Sequence, residues 1–153
     1  MSQTGADDEF RIREAVGADA QALLPLLEQL GYPAEERALQ TRLRCLLADP
    51  SVAVLVAESN GQVVGLASMH VMPLIERGPI ARLSAIIVAA SERRAGIGRA
   101  LVEGVETEAR ARGCERLELT TAERRADAHA FYRTLGFQPA SQRFIKSLAD
   151  DAE

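Results

Sequence analysis

The chain has few aromatic residues and few cysteines. It contains no tryptophan, two tyrosines, four phenylalanines and two cysteines in 153 residues. Cys45 and Cys114 are isolated from each other and from any cluster of histidines, so reduced thiols are expected rather than a disulfide or a metal site. No apolar run approaches the roughly 20 residues that a membrane-spanning helix needs. These absences favour a cytoplasmic protein with no bound metal and no membrane partner.

Basic residues are also in the minority. The chain has 18 lysines and arginines against 22 aspartates and glutamates, a net charge of −4. This balance argues against a nucleic-acid partner, because nucleic-acid-binding domains usually carry a basic face.

We expect a single domain over residues 10–148, because this length can bury a full core. Residues 1–9 and 149–153 are expected to be frayed, and residues 1–9 lack the pattern of a secretory signal.

Against this acidic background, three arginines and two glycines cluster within residues 93–99. Arg93, Gly96 and Gly98 form the pattern Arg-x-x-Gly-x-Gly after an apolar run and at the start of a helical pattern. Glycine lets a backbone approach a ligand closely, and a helix N-terminus offers unpaired N–H groups to a phosphate. A dinucleotide fingerprint would need glycine where Leu101 stands, and no P-loop sequence is present. The segment predicts a pyrophosphate site, with a plain glycine turn and solvated arginines as the alternative.

Hydrophobic periodicity predicts an α/β fold with the element order β-α-α-β-β-β-α-β-α-β. Asn60-Gly61 is the strongest hairpin signal. A strand over 81–88 leads into the arginine-glycine segment, and a helix over 98–112 follows it. A last strand or hairpin is expected between Phe137 and Leu148. This order gives a mixed central sheet flanked by about four helices.

A second motif follows one helix and one strand later. Residues 127–137 read Asp-Ala-His-Ala-Phe-Tyr-Arg-Thr-Leu-Gly-Phe, a helix that carries Phe131-Tyr132 and ends at Gly136. The two motifs in this order resemble the GNAT superfamily of acetyl-CoA-dependent N-acetyltransferases, whose fold has the predicted element order. The resemblance implies transfer of an acetyl group from acetyl-CoA to an amine by direct attack.

The resemblance also implies which residues bind acetyl-CoA. The backbone of the strand pairs with the pantetheine amides, the helix N–H groups and arginines hold the pyrophosphate, and Arg125 stands where relatives often have asparagine. Arg125 either reaches a phosphate or is merely exposed. The implied cofactor-binding residues are Ile86, Ile87, Val88, Arg93, Arg94, Ala95, Gly96, Ile97, Gly98, Arg99, Ala100, Arg125 and Phe131.

For catalysis, the resemblance implies that Tyr132 is the general acid toward the CoA sulfur. A phenol with a pKa near about 10 stays protonated at neutral pH and can donate to a thiolate. The alternative is that Phe131 and Tyr132 only pack their helix onto the sheet. The general base is left open, because the strand over 81–88 has no carboxylate. Ser84 or Glu118 acting through water, and more weakly His70, are the candidates.

The acceptor is the least defined part of the prediction. A small-molecule amine or amino-acid derivative is favoured over a protein tail, because no acidic docking tract stands out. The stretch from Arg125 to Tyr132, with Arg143 and Lys146 beyond it, is also similar to aminoalkylphosphonate N-acetyltransferases, but it does not by itself assign the substrate. The alternatives are a non-catalytic acyl-CoA sensor and a protein or peptide N-acetyltransferase. A homodimer is common in this fold, although no interface can be identified.

Overall fold

A computed structural model describes residues 10–93, 96–120, 126–140 and 144–149 of the chain. Five strands and four α-helices are found in this part, with short 3-10 turns at Gly17–Asp19 and Ala90–Glu92. In chain order they are β1 (Phe10–Glu14), α1 (Ala20–Leu30), α2 (Glu36–Leu47), β2 (Val52–Ser59), β3 (Gln62–Met72), β4 (Ile80–Val88), α3 (Ile97–Ala111), β5 (Leu117–Leu119) and α4 (Ala126–Thr134).

The strands form one sheet in the order β1-β2-β3-β4-β5. The first four pair antiparallel, and β5 runs parallel to β4. A parallel pair requires a long crossover, and α3 lies in the connection between β4 and β5. Asn60 and Gly61 have φ values of 52° and 78°, as a two-residue hairpin turn requires. The predicted α/β fold with a mixed sheet is confirmed.

Hydrophobic side chains fill both faces of the sheet. On one face, α1 and α2 contribute buried leucines that pack against residues of β2 and β3. This cluster contains Leu23, Leu26, Leu39, Leu43, Val52, Val54, Val56 and Leu66. On the other face, the predicted apolar stripe of α3 is buried together with the first residue of the helix. These side chains are Ile97, Leu101, Val102, Val105 and Ala109. The two layers hold β4 in the interior of the sheet.

A β-bulge on β4 separates its two halves. Met69 on β3 pairs with Leu83, whereas Ser68 pairs with Ala85, so that Ser84 is the extra residue. The parallel strand β5 pairs only with the first half of β4 and ends at the Leu83–Leu119 pair. The second half of β4 therefore continues past the point where the β5 pairing stops. This fork positions the site described below.

Contacts divide the chain into two compact units, Met1–Thr120 and Thr121–Glu153. In the second unit, α4 ends where the Gly136 and Phe137 N–H groups donate to the Arg133 and Tyr132 carbonyls, each at 3.0 Å. Gly136 has a φ of 94°, a left-handed conformation that commonly ends a helix. The predicted end of this helix at Gly136 is confirmed.

The last predicted strand is not found in the described residues. Residues 137–140 and 144–149 have no strand conformation. Pro139 lies in the first of these segments and lacks the N–H group that a strand ladder uses. The predicted strand between Phe137 and Leu148 is therefore wrong for the part of that range that the structure describes.

Two predictions from the composition concern the cysteines and membrane-spanning helices. Both cysteines are free, and burial raises the pKa of the Cys114 thiol. Over the ranges given above, no helix combines the length and the hydropathy of a bilayer-spanning segment.

Candidate functional site

The open half of β4 is the first component of the site. The Ala89 N–H donates to the Val64 carbonyl at 2.8 Å. Because backbone polar groups alternate in direction along an antiparallel strand, Ile87 also faces β3, whereas Ile86 and Val88 face the opposite side. On that side of β4, the pairing with β5 ends at Leu83 and does not reach Ile86 or Val88. Of the three residues predicted to pair with pantetheine, Ile86 and the Val88 N–H face away from β3, and on that side no strand of the described residues pairs with them, whereas the Val88 carbonyl accepts from Gln29. Ile87 pairs with Leu66 of β3, which corrects its predicted role.

The side chains of this half-strand are only partly covered within their own unit. Ser84 is exposed, and the four residues from Ala85 to Val88 are half-buried although all are apolar. An interior strand is usually buried on both faces. Of these four side chains, that of Ile87 packs against the α1–α2 core. The remaining apolar surface, next to open backbone amides, fits a long ligand that carries both methylene and amide groups.

The N-terminus of α3 is the second component. Gly96 is the N-cap in a left-handed conformation with a φ of 84°, and as glycine it has no side chain with which to cap the helix. The first-turn N–H groups of Ile97, Gly98 and Arg99 are thus directed away from the helix body. The Ala100 N–H instead donates to the Gly96 carbonyl at 3.0 Å. This corrects the prediction that the Ala100 amide belongs to the phosphate site.

Two of the predicted arginines stand at this helix end. Arg93 and Arg99 are both exposed, whereas the Ile97 side chain is buried in the core and contributes only its N–H group. The exposed arginines and the positive end of this 15-residue helix both attract an anion. Of the other predicted residues, Arg94, Ala95 and Arg125 lie outside the described residues.

A residue that the sequence did not reveal fixes the end of β4. The Gln29 side chain, on α1, donates from Nε2 to the Val88 carbonyl at 2.9 Å and accepts from the Ala90 N–H at 3.2 Å. The two bonds hold the backbone on both sides of Ala89, directly before the arginine-glycine segment. Gln29 lies 59 residues away from Val88 in the chain, and no local pattern links the two.

Tyr132 belongs to the second unit. It lies on α4, half-buried, between two aromatic rings: its centroid is 5.4 Å from that of Phe131 and 6.0 Å from that of Phe137. These ring contacts lie within the second unit. Phe131, a predicted cofactor contact, is 37% exposed, which leaves its ring available to a ligand.

The three candidate bases differ in their surroundings. The exposed Ser84 hydroxyl donates to the Ser68 carbonyl at 3.2 Å, and its oxygen can still accept a hydrogen bond from water. Both carboxylate oxygens of Glu118 are engaged in ion pairs with arginine. His70 is half-buried on β3, as expected of a strand histidine.

Comparison with known proteins decides the family. The model of the acetyltransferase (GNAT) family matches residues 20–137, a range that contains both sequence motifs. The chain belongs to this family.

Individual relatives agree with this assignment. An aminoalkylphosphonate N-acetyltransferase of Salmonella typhimurium is 33% identical over 139 residues, which cover 90% of each chain. An IAA acetyltransferase of Azospirillum brasilense is 36% identical over 125 residues, 76% of each chain. The crystal structure of an aminoglycoside 6'-N-acetyltransferase from Acinetobacter haemolyticus superimposes with a TM-score of 0.79 at 25% identity, covering 92% of this chain and 99% of that one.

The family assignment indicates which ligand this site would bind. A GNAT enzyme is an acetyl-CoA-dependent N-acetyltransferase, so the enzyme class inferred from the two motifs is confirmed. Acetyl-CoA has an amide-bearing apolar arm and a pyrophosphate. The open half of β4 fits the first, and the uncapped N-terminus of α3 with its exposed arginines fits the second.

Proposed function

We propose that this GNAT enzyme acetylates the primary amine of a small molecule or amino-acid derivative, by direct attack of the amine on the thioester of acetyl-CoA. The observation that supports this most directly is the continuity between the open half of β4 and the uncapped N-terminus of α3. Relatives named for small acceptors, aminoalkylphosphonates and aminoglycosides, support the substrate size.

In this proposal the chain holds acetyl-CoA at two places. The outward backbone groups of Ile86 and the N–H group of Val88 bind the pantetheine arm in the manner of an added strand. The N–H groups of Ile97, Gly98 and Arg99, together with the guanidinium groups of Arg93 and Arg99, bind the pyrophosphate. Gln29 keeps the two places in register because it bonds to the backbone between them.

An ammonium must lose two protons to become an amide nitrogen, and the sulfur must gain one. The ammonium loses its proton to water, and the exposed Ser84 hydroxyl is placed to hold that water. The free amine then forms the new C–N bond as an outward N–H of β4 stabilises the oxyanion. The C–S bond breaks, and Tyr132 donates its phenolic proton to the departing thiolate. The acylated nitrogen then loses its second proton, which returns through water to the Tyr132 oxygen and restores the phenol. Glu118 is a poor base in this scheme, because both of its oxygens bind arginine.

The cofactor site is tested by two nearly isosteric substitutions of Gly96. Asparagine and aspartate both tolerate a positive φ better than other side chains, and there is space for a Cβ at this position. Gly96→Asp places a negative charge beside the pyrophosphate, so we expect calorimetry to show CoA binding weakened about tenfold or more relative to Gly96→Asn. Gly61→Asp, at the hairpin turn, is the control and should bind CoA like the wild type. Equal affinities for the two Gly96 variants would contradict the proposed site.

The acid is tested in the same assay series with Tyr132→Phe. This variant keeps the ring packing and removes the proton donor, so CoA affinity should persist while kcat falls by about a hundredfold.

The acceptor panel consists of small amines, amino acids and peptides. Unchanged turnover by Tyr132→Phe would remove Tyr132 from the mechanism, and acetylation of peptides alone would contradict the small-molecule proposal.

A further inference from the structure

Polar side chains form a row across three strands, beside the apolar core under α1 and α2. His70, Arg82 and Glu118 occupy directly opposed positions on β3, β4 and β5. Val52 is opposite His70 on β2 and is part of the α1–α2 core, which fixes the face of the sheet on which the row lies. Opposed residues on neighbouring strands share a face. The row is therefore a polar continuation of an otherwise hydrophobic surface.

The row carries more positive than negative charge. Arg82 Nη2 donates to Glu118 Oε1 at 3.3 Å, and Arg116 Nε is 3.1 Å from Glu118 Oε2. Two guanidinium groups thus share one carboxylate. The neighbouring acid on the side of His70 is Asp49, whose Oδ1 accepts from the Ser51 N–H and hydroxyl at 2.9 and 2.7 Å. Asp49 lies in the turn before β2, at the opposite end of the row from Arg116.

Arg82 has donor capacity that its described neighbours do not use. Its Nε atom is buried and has no hydrogen-bond partner among the residues that the structure describes. Among the described residues, its hydrogen bond to Glu118 uses one of its five N–H donors. Buried donors in proteins are normally satisfied, and an unmet donor is costly. The Arg82 side chain as a whole is 34% exposed, so an acceptor group supplied with the substrate can reach its Nη donors and balance the surplus charge.

The position of Arg82 connects this surplus charge to catalysis. Arg82 precedes Leu83, where the β5 pairing ends, and lies two residues before the bulge at Ser84. The cofactor strand proposed above begins at this fork. A group bound at Arg82 is thus held next to the end of the strand where the thioester would lie.

We propose that Arg82, supported by Arg116, binds an anionic group on the acceptor molecule itself, a carboxylate or a phosphonate attached near the amine. This inference rests on the proposed function and adds the substrate class. Glu118 neutralises part of the charge and orients both guanidinium groups. A guanidinium suits this task because it remains charged and bonds to carboxylate and phosphonate oxygens in a bidentate manner.

The test compares three acceptors that differ only in the terminal group: aminoethylphosphonate, β-alanine and propylamine. For the wild type, kcat/KM should be highest for one or both of the anionic amines. In Arg82→Gln, the ratio of kcat/KM for the preferred anionic amine to that for propylamine should fall by about tenfold or more, because charged hydrogen bonds are lost. The phosphonate and carboxylate arms show which anion is preferred. The KM for acetyl-CoA should stay within about twofold of the wild type.

Controls separate this effect from general damage. Arg110→Gln removes an exposed arginine of α3 and should keep the wild-type ratio. Arg82→Lys should retain part of the preference, and Arg116→Gln gives an independent reduction if Arg82→Gln does not fold.

Three results would overturn the inference: equal kcat/KM for the three amines in the wild type, an unchanged ratio in Arg82→Gln, or a rise in the KM for acetyl-CoA that accounts for the loss. None of these affects the proposed function, which fails separately if the wild type does not bind CoA.

Discussion

At the scale of single residues, Asp19 shows how one side chain can join three elements. Its two oxygens accept from Arg13 Nη1 and Nη2, each at 3.0 Å, and Oδ2 also accepts from the Val16 N–H at 2.8 Å. Arg13 Nε donates to Glu58 at 2.7 Å. The start of α1 is thereby tied to β1 and β2. The hydrogen bonds from Arg13 hold the pKa values of Asp19 and Glu58 below their usual range.

These lowered pKa values predict acid sensitivity. A carboxylate whose folded-state pKa is depressed stabilises the protein above its unfolded pKa of about 4, and this contribution is lost as the pH falls through the folded value. Asp19→Asn should lower the free energy of unfolding by about 1–3 kcal/mol near neutral pH, because it removes the negative charge from the two hydrogen bonds that Arg13 donates to this residue. The difference from the wild type should shrink below about pH 4. Urea unfolding across this pH range measures both effects.

The matched control for this prediction is Glu103→Gln, at an exposed position of α3. It should keep the wild-type dependence of stability on pH. A constant difference between Asp19→Asn and the wild type at all pH values would show that the ionised carboxylate is not the source of the stability.

At the scale of elements, the approach of α3 to the sheet depends on two glycines. A Cβ at Gly65 of β3 would lie 3.1 Å from Leu101 Cδ1, 3.2 Å from Ile97 Cγ2 and 3.3 Å from Ala57 Cβ. A Cβ at Gly104 of α3 would lie 3.0 Å from Leu55 Cδ1. These glycines allow the helix backbone to come close to the strands, and they position the helix N-terminus at which we propose the phosphate site.

Gly65→Val should therefore destabilise the fold. The added methyl groups overpack a tight contact between α3 and β3, for which about 1–3 kcal/mol is typical. Chemical denaturation measures the change. Gly78→Val is the control, because nothing lies within 4 Å of a Cβ at that exposed glycine; its effect should stay within about 0.5 kcal/mol. Equal effects of the two substitutions would contradict the packing argument.

At the scale of the whole molecule, a net charge of −4 surrounds a local group of arginines. The net charge of the molecule repels the anionic cofactor, whereas in the proposed site Arg93 and Arg99, exposed at the N-terminus of α3, attract it. Exposed charges at this distance are screened by salt, with a Debye length of about 10 Å at 0.1 M. Cofactor binding should thus respond to ionic strength.

We expect the KM for acetyl-CoA to rise several-fold as KCl increases from about 0.05 to about 0.5 M, because the pyrophosphate contacts are screened. Acetyl-pantetheine lacks the pyrophosphate and is the control substrate, so its KM should be nearly independent of salt. Steady-state kinetics with both donors measures the effect. The same salt dependence for the two donors would argue against the arginine-based site.

The sequence by itself determined the family and the elements from β1 to α4. Periodic leucines and valines predicted the helices, Asn60-Gly61 predicted the hairpin, and the two motifs indicated a GNAT enzyme, because these signals are local and depend on spacing of at most a few residues. The pyrophosphate site was predicted for the same reason. The limits of local patterns appear at Ile87 and Ala100, whose backbone groups have the right position in the motif but already bond within the sheet or the helix.

The tertiary structure alone decided which groups meet across the sheet. Gln29 reaches Val88, Arg13 joins Asp19 to Glu58, and Arg82 lies opposite both His70 and Glu118, although 36 residues separate Arg82 from Glu118 in the chain. Strand order and register set these contacts, and a shift of one residue would turn each side chain to the other face. Local spacing contains no information on register across strands, so the fork in β4 and the charged row beside it emerged only from the folded chain.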